Sequence, residues 1–76
     1  MTRKYKNFWY CLTTRPAWDD VILKIDDHEP DKHPEGAPHM HDHPYPDSAA
    51  AIAAAEDWIE SAHRTVLDYY RGGSKG

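Results

Sequence analysis

Five of the chain's six prolines stand at positions 30, 34, 38, 44 and 46, and they divide its 76 residues into parts that fold by different rules. A proline has no backbone N–H to donate and biases the residue before it towards extended geometry, so such a series interrupts both helix and interior strand. Residues 28–46 are therefore expected to form one long loop. A loop of that length in a small domain is either functional or partly disordered. Regular structure is confined to the segments on either side.

The segment before the loop reads as strand. YKNFWYCLTT at residues 5–14 is dense in aromatic and β-branched side chains, which favour the pleated conformation. A period of two places Phe8, Tyr10 and Leu12 on one face and Trp9 and Cys11 on the other. The run breaks at Pro16, Asp19 and Asp20, residue types suited to a turn. It resumes with Val21, Leu23 and Ile25 facing one way and Ile22, Lys24 and Asp26 the other. Residues 4–27 are thus expected to form an antiparallel hairpin, with residues 39–43 able to add a short third strand at its edge.

The segment after the loop reads as helix. Asp47 or Ser48 caps an alanine-rich run, and Gly72-Gly73 favours termination. At 100° per residue, Ile52, Ala55, Ile59, Ala62, Val66, Tyr69 and Tyr70 share a face, while Asp57, Glu60, Ser61, Arg64 and Asp68 lie opposite. The expected helix spans residues 47–71, followed by a flexible tail at 72–76. The fold class is α+β: a single small ββα domain with the hairpin packed on one long amphipathic helix.

So short a chain, with 39% apolar residues, builds a core that supplies only about 3–5 kcal/mol unaided. A bound metal, a protein partner or pairing into a homodimer would supplement it. The single cysteine excludes an internal disulfide. Cys11, between aromatic and aliphatic neighbours, reads as a buried, inert thiol in a reducing compartment. With no apolar leader or bilayer-length stretch, the expectation is a cytoplasmic protein without membrane contact.

Charge is unevenly placed. Arg3, Lys4, Lys6 and Arg15 precede any acid, whereas residues 19–47 hold nine acids against Lys24 and Lys32. An acidic loop repels phosphates, so direct nucleic-acid binding is not expected, and no recognition helix accompanies the basic cluster. A basic protein surface suits it better. Catalysis is not expected either: there is no phosphate loop and no nucleophile with a matching base, and so small a chain gives a site little support. The Asp19-Asp20 and Asp26-Asp27 pairs read as turn and edge residues.

Five of six histidines fall in the loop region, three of them alternating as His39, His41 and His43. Imidazole is the commonest metal ligand, and in a strand these three share one face at roughly 6–7 Å intervals. They are candidate ligands for zinc or nickel, with His63 reaching them from the edge of the helix's apolar face and His28 and His33 as further donors. A His-rich tract without a CxxC or HExxH partner motif is a weak signal. The same rings also offer a proton switch, because imidazoles take up charge as pH falls through about 6.5. That charge would neutralise their acidic neighbours.

In size, charge and economy of fold the chain resembles small acidic proteins encoded by phages, including anti-CRISPR inhibitors. The apolar patch left on the outer face of the hairpin and the acidic loop point, with that likeness only as an analogy, to a non-enzymatic protein-binding module that occludes a basic, nucleic-acid-binding surface on its target. Trp9, Trp18 and Ile22 would anchor it and Asp27, Glu29 and Asp31 would meet the basic surface, with Trp58 a further aromatic candidate. The alternative is a metal-binding module in which His39, His41, His43 and His63 order the loop.

Overall fold

A computed structural model describes residues 1–72, with side chains through Tyr69. Four antiparallel strands form a meander in the order β1-β2-β3-β4: β1 Thr2–Tyr5, β2 Phe8–Arg15, β3 Asp20–Asp26 and β4 His41–Tyr45. One helix, α1 Ser48–Gly72, follows. This is the α+β hairpin-on-helix arrangement, with a strand added at each edge of the hairpin.

The run read as a strand over residues 5–14 is in fact split. Lys6 and Asn7 adopt φ values of 48° and 67°, the pair of left-handed residues that makes a two-residue hairpin loop. Asn tolerates that region better than most residues, and Lys6 accompanies it. Tyr5 pairs with Phe8 across the turn, and the ladder continues to Thr2 opposite Cys11. β2 and β3 pair from Trp9 opposite Asp26 to Arg15 opposite Asp20. At that far end the Arg15 guanidinium donates to both Asp20 carboxylate oxygens, at 2.8 and 2.6 Å.

Period-two alternation is realised as expected. Phe8, Tyr10, Leu12, Val21, Leu23 and Ile25 are buried against Ala51, Ala55 and Ile59 of the helix. Trp9, Cys11 and Ile22 lie on the uncovered face, each half-buried rather than fully exposed. Cys11, expected to be buried, has its Sγ 3.1 Å from Thr2 Oγ1 of the edge strand.

The proline-rich segment is more regular than its composition suggests. Pro30–Lys32 form a 3-10 turn, and β4 runs through Pro44, which stands opposite Ile22. An edge strand tolerates proline, because only one side of its backbone joins the ladder. The third strand thus begins at His41 and runs to Tyr45, two residues later than anticipated.

Asp47 caps α1, accepting from the Ala50 N–H at 2.8 Å. The helix has 25 residues and is about 37 Å long, whereas the seven residues of β3 span about 23 Å. Its last turns therefore run past the sheet: Val66, Leu67 and Tyr69 are 47, 41 and 74% exposed. The radius of gyration, 14.2 Å, exceeds the roughly 11 Å of a compact globule of this length. The expected apolar face thus packs only as far as Ala62. The side chain of Tyr70 and the tail at 73–76 lie outside the described residues.

Candidate metal centre

The loop between β3 and β4 is folded turn by turn, and each turn delivers a histidine. The 3-10 turn returns the chain so that the His33 N–H donates to the Pro30 carbonyl at 3.2 Å. Next, the Ala37 N–H donates to the Pro34 carbonyl at 3.1 Å. Gly36 takes φ +80°, the value demanded of the third residue of a type II turn. Finally the Met40 N–H donates to the Ile25 carbonyl at 3.0 Å. That bond closes the loop beside the end of β3 and sets His39 against Asp26.

Asp26 is the focus. Its side chain is only 8% exposed, and a carboxylate so buried needs compensation by positive charge or strong donors. Among the described residues, neither lysine nor arginine forms an ion pair with it. Instead His39 Nδ1 lies 2.6 Å from Asp26 Oδ2, and His33 Nδ1 lies 3.6 Å from Oδ1. One donor atom from each of Asp26, His33 and His39 lies within 4.8 Å of the others. The His33 and His39 rings stack at 4.3 Å and 10°. His33 Nε2 is bound by the Ala37 carbonyl at 2.8 Å, and His28 Nε2 sits 2.9 Å from His33 Nδ1.

Of the four histidines singled out as ligands, only His39 enters this cluster. Met40 turns the chain at the strand entrance, so His39 leaves the face that His41 and His43 share. Those two project from β4 opposite Ile25 and Leu23, on the helix side of the sheet. His41 Nε2 bonds to the Tyr45 hydroxyl at 2.9 Å, and its ring lies 5.9 Å from that of Trp58. Burial there lowers the pKa of His41, with help from neighbouring His43 and against the opposing effect of Asp42. His43 is exposed, its Nδ1 2.8 Å from the Pro44 carbonyl oxygen. His63, on the helix, lines a shallow cleft with Lys6, Glu60 and Leu67. Lys6 and Glu60 form an ion pair there. Among the described residues, these histidines form no three-donor group with His39.

The expected partner residues mark out the two ends of the open face. Trp9 pairs with Asp26 near the loop, under the Lys4 ammonium at 5.1 Å. Asp27, Glu29 and Asp31 are exposed beside it. Trp18 occupies the opposite hairpin tip, 71% exposed and stacked by Arg15 at 5.1 Å. Ile22 lies between. Trp58 belongs to the core side, edge-on to Phe8 at 5.9 Å. No helix among the described residues is long and apolar enough to cross a membrane.

Asp26 is the residue that sequence reasoning missed as a candidate ligand. Asp26 read as an edge residue of a strand, and His33 as one reserve imidazole among several. Chemically, two imidazole nitrogens and one carboxylate oxygen around a half-sheltered point suit zinc or a neighbouring divalent transition metal. No family model matches the chain, and neither a curated protein nor a solved structure is similar to it, so the chemistry of this cluster carries the functional argument.

Proposed function

We propose that the chain is a non-enzymatic binding module whose long loop is stapled by one divalent transition-metal ion, zinc or nickel in class, held by Asp26, His33 and His39. The observation that carries this reading is the buried Asp26 carboxylate facing two imidazoles, with all three donor atoms within 4.8 Å. The staple answers the weakness of so small a core, because binding to the folded state alone adds directly to stability. Titration of the chelator-treated chain with zinc and with nickel, followed by calorimetry and native mass spectrometry, tests it. One ion per chain is expected, lost in Asp26→Asn and His39→Ala and retained in His43→Ala and His63→Ala. Absence of stoichiometric binding, or loss of it in the latter pair only, overturns the assignment.

A second reading joins this one. The 71% exposure of Trp18 favours a docking role for the open face, and the stapled loop would hold Asp27, Glu29 and Asp31 towards a basic protein surface. Occlusion of such a surface is how an inhibitor of the phage type would act. Affinity capture with three baits decides it: wild type, Trp18→Ala and a triple lysine variant at the three acids. A target lost by both variants supports docking here; one retained by both refutes it.

A further inference from the structure

The two edges of the sheet are guarded differently, and the hydrogen-bond phase of the meander shows how. Met1 and Leu12 exchange two backbone bonds: the Leu12 N–H donates to the Met1 carbonyl at 2.8 Å, and the Met1 amine to the Leu12 carbonyl at 3.2 Å. In an antiparallel ladder such bonded pairs alternate with pairs that exchange none. Arg3 opposite Tyr10 and Tyr5 opposite Phe8 are therefore bonded pairs. Thr2 and Lys4 turn their N–H and C=O groups away from β2, to the outer edge. Among the described residues no strand lies beyond β1, and Thr2, Arg3 and Lys4 are exposed.

Carried through the registers of β2, β3 and β4, the same alternation turns Asp42 and Pro44 outward at the opposite edge. Pro44 has no N–H to offer an incoming strand, so that edge is blunted in a common way. β1 contains no proline, and its register with β2 is unbroken by a bulge. Its guard is charge alone. The Lys4 ammonium is drawn back over the Trp9 ring at 5.1 Å, away from the outward backbone groups.

That charge selects among occupants. A second copy adding its own β1 would set Arg3 and Lys4 against Arg3 and Lys4, and like charges facing each other across strands are destabilising. Acids in those places would be attracted instead. Lys6 is already paired with Glu60 and Arg15 with Asp20, which leaves Arg3 and Lys4 as the cations available to an incoming chain at this edge. We propose that β1 is a docking edge for an extended acidic segment of a partner protein, which continues the antiparallel ladder beside Thr2–Tyr5. The outward groups of Thr2 and Lys4 hydrogen-bond its backbone and fix its register, while side chains on alternate faces give selectivity. Its acids lie opposite Arg3, on the helix side of the sheet, and opposite Lys4, on the open face beside Trp9. This edge is distinct from the loop cluster and from the hairpin tip at Trp18, and it stands or falls independently of the metal site.

Titration of the 15N-labelled full chain with the capped peptide Thr-Val-Glu-Glu-Val-Thr tests this, with Thr-Val-Lys-Lys-Val-Thr as its counterpart. Saturable shifts and slowed hydrogen exchange are expected at the Thr2 and Lys4 amides. The lysine peptide should bind about 10-fold more weakly, the scale of exchanging two opposite-charge pairs for like-charge ones. Thr2→Pro removes one outward donor while sparing the backbone bonds to β2, and should weaken the acidic peptide about 2- to 10-fold. Arg3→Glu combined with Lys4→Glu should reverse the preference between the peptides, with circular dichroism verifying that each variant is folded. The comparison of both peptides on wild type does not depend on any variant folding. Absence of saturable shifts at millimolar peptide, shifts at Asp42 on the other edge instead, or equal binding of the two peptides overturns the proposal. Shifts at Thr2 and Lys4 that grow with protein concentration alone mean that a second copy takes the edge, and they overturn the acidic occupant.

Discussion

Replacing Asp26 by Asn keeps the shape of the side chain and removes its charge. In chelator the variant loses the charge-assisted bond from His39, 2.6 Å long and sheltered from water, which contributes about 1.5–3 kcal/mol. Unfolding entropy of about 2.1 cal/mol/K per residue gives about 0.16 kcal/mol/K for the 76 residues. The melting temperature should therefore fall by about 9–19 °C. Zinc at a hundredfold excess over its Kd should raise wild type by about 2.7 kcal/mol. On the same entropy scale that is about 17 °C. The variant should show little of this increase. Thermal unfolding followed by far-ultraviolet circular dichroism, with chelator and with zinc, measures both effects. A variant within about 3 °C of wild type in chelator would refute the buried bond as a stabilising contact. An equal zinc shift in both proteins would refute Asp26 as a ligand.

Leu23→Ala empties a position with no exposed surface and should cost about 2–5 kcal/mol, enough to abolish cooperative unfolding. By contrast, Val66→Ala on the overhanging helix should stay within about 0.5 kcal/mol in urea titrations. The Asp20 carboxyl, held below its ordinary value chiefly by the hydrogen bonds from Arg15, should titrate low by carbon-detected NMR. Its contribution to stability is present above the ordinary carboxylate range and is lost as pH falls through the lowered value; Arg15→Gln should restore ordinary titration. Gly36→Ala forces an L side chain to φ +80° and should cost about 1–2 kcal/mol. Because the strain acts on the turn that presents the Ala37 carbonyl to His33, metal affinity should fall with it.

The two central strands and the helix were legible because each buries one face, and burial imprints a period of two on residues 8–12 and 21–25 and of 3.6 on residues 52–62. Nothing outside that rule was equally visible. The Lys6-Asn7 turn interrupts an aromatic run without a glycine or proline to mark it. Val66 and Tyr69 continue the helical stripe although no sheet remains beneath them, since periodicity records a face and says nothing of what covers it. The alternation of His39, His41 and His43 drew attention to neighbours in sequence. The cluster that forms instead joins Asp26 to His33 and His39 across a folded loop, through turns at Pro30, Gly36 and Met40. Such a juxtaposition has no period. Its one local trace is a polar residue ending an apolar strand, and that is also what an ordinary strand end shows.

The overhang of α1 gives one helix two kinds of stability. Amides around Ala55 and Ile59 open to solvent only when the sheet comes away from them, so their exchange with deuterium reports global unfolding. Beyond Ala62 the backbone bonds are held by helical propensity and by local contacts such as the Thr65 hydroxyl to the Ser61 carbonyl at 2.9 Å. A helical segment of this length with so little of the sheet against it is marginal in water. Protection should therefore fall steeply within two turns of Ala62. The projecting end should behave as a separate cooperative unit, able to melt and re-form many times while the sheet and the loop between β3 and β4 stay folded.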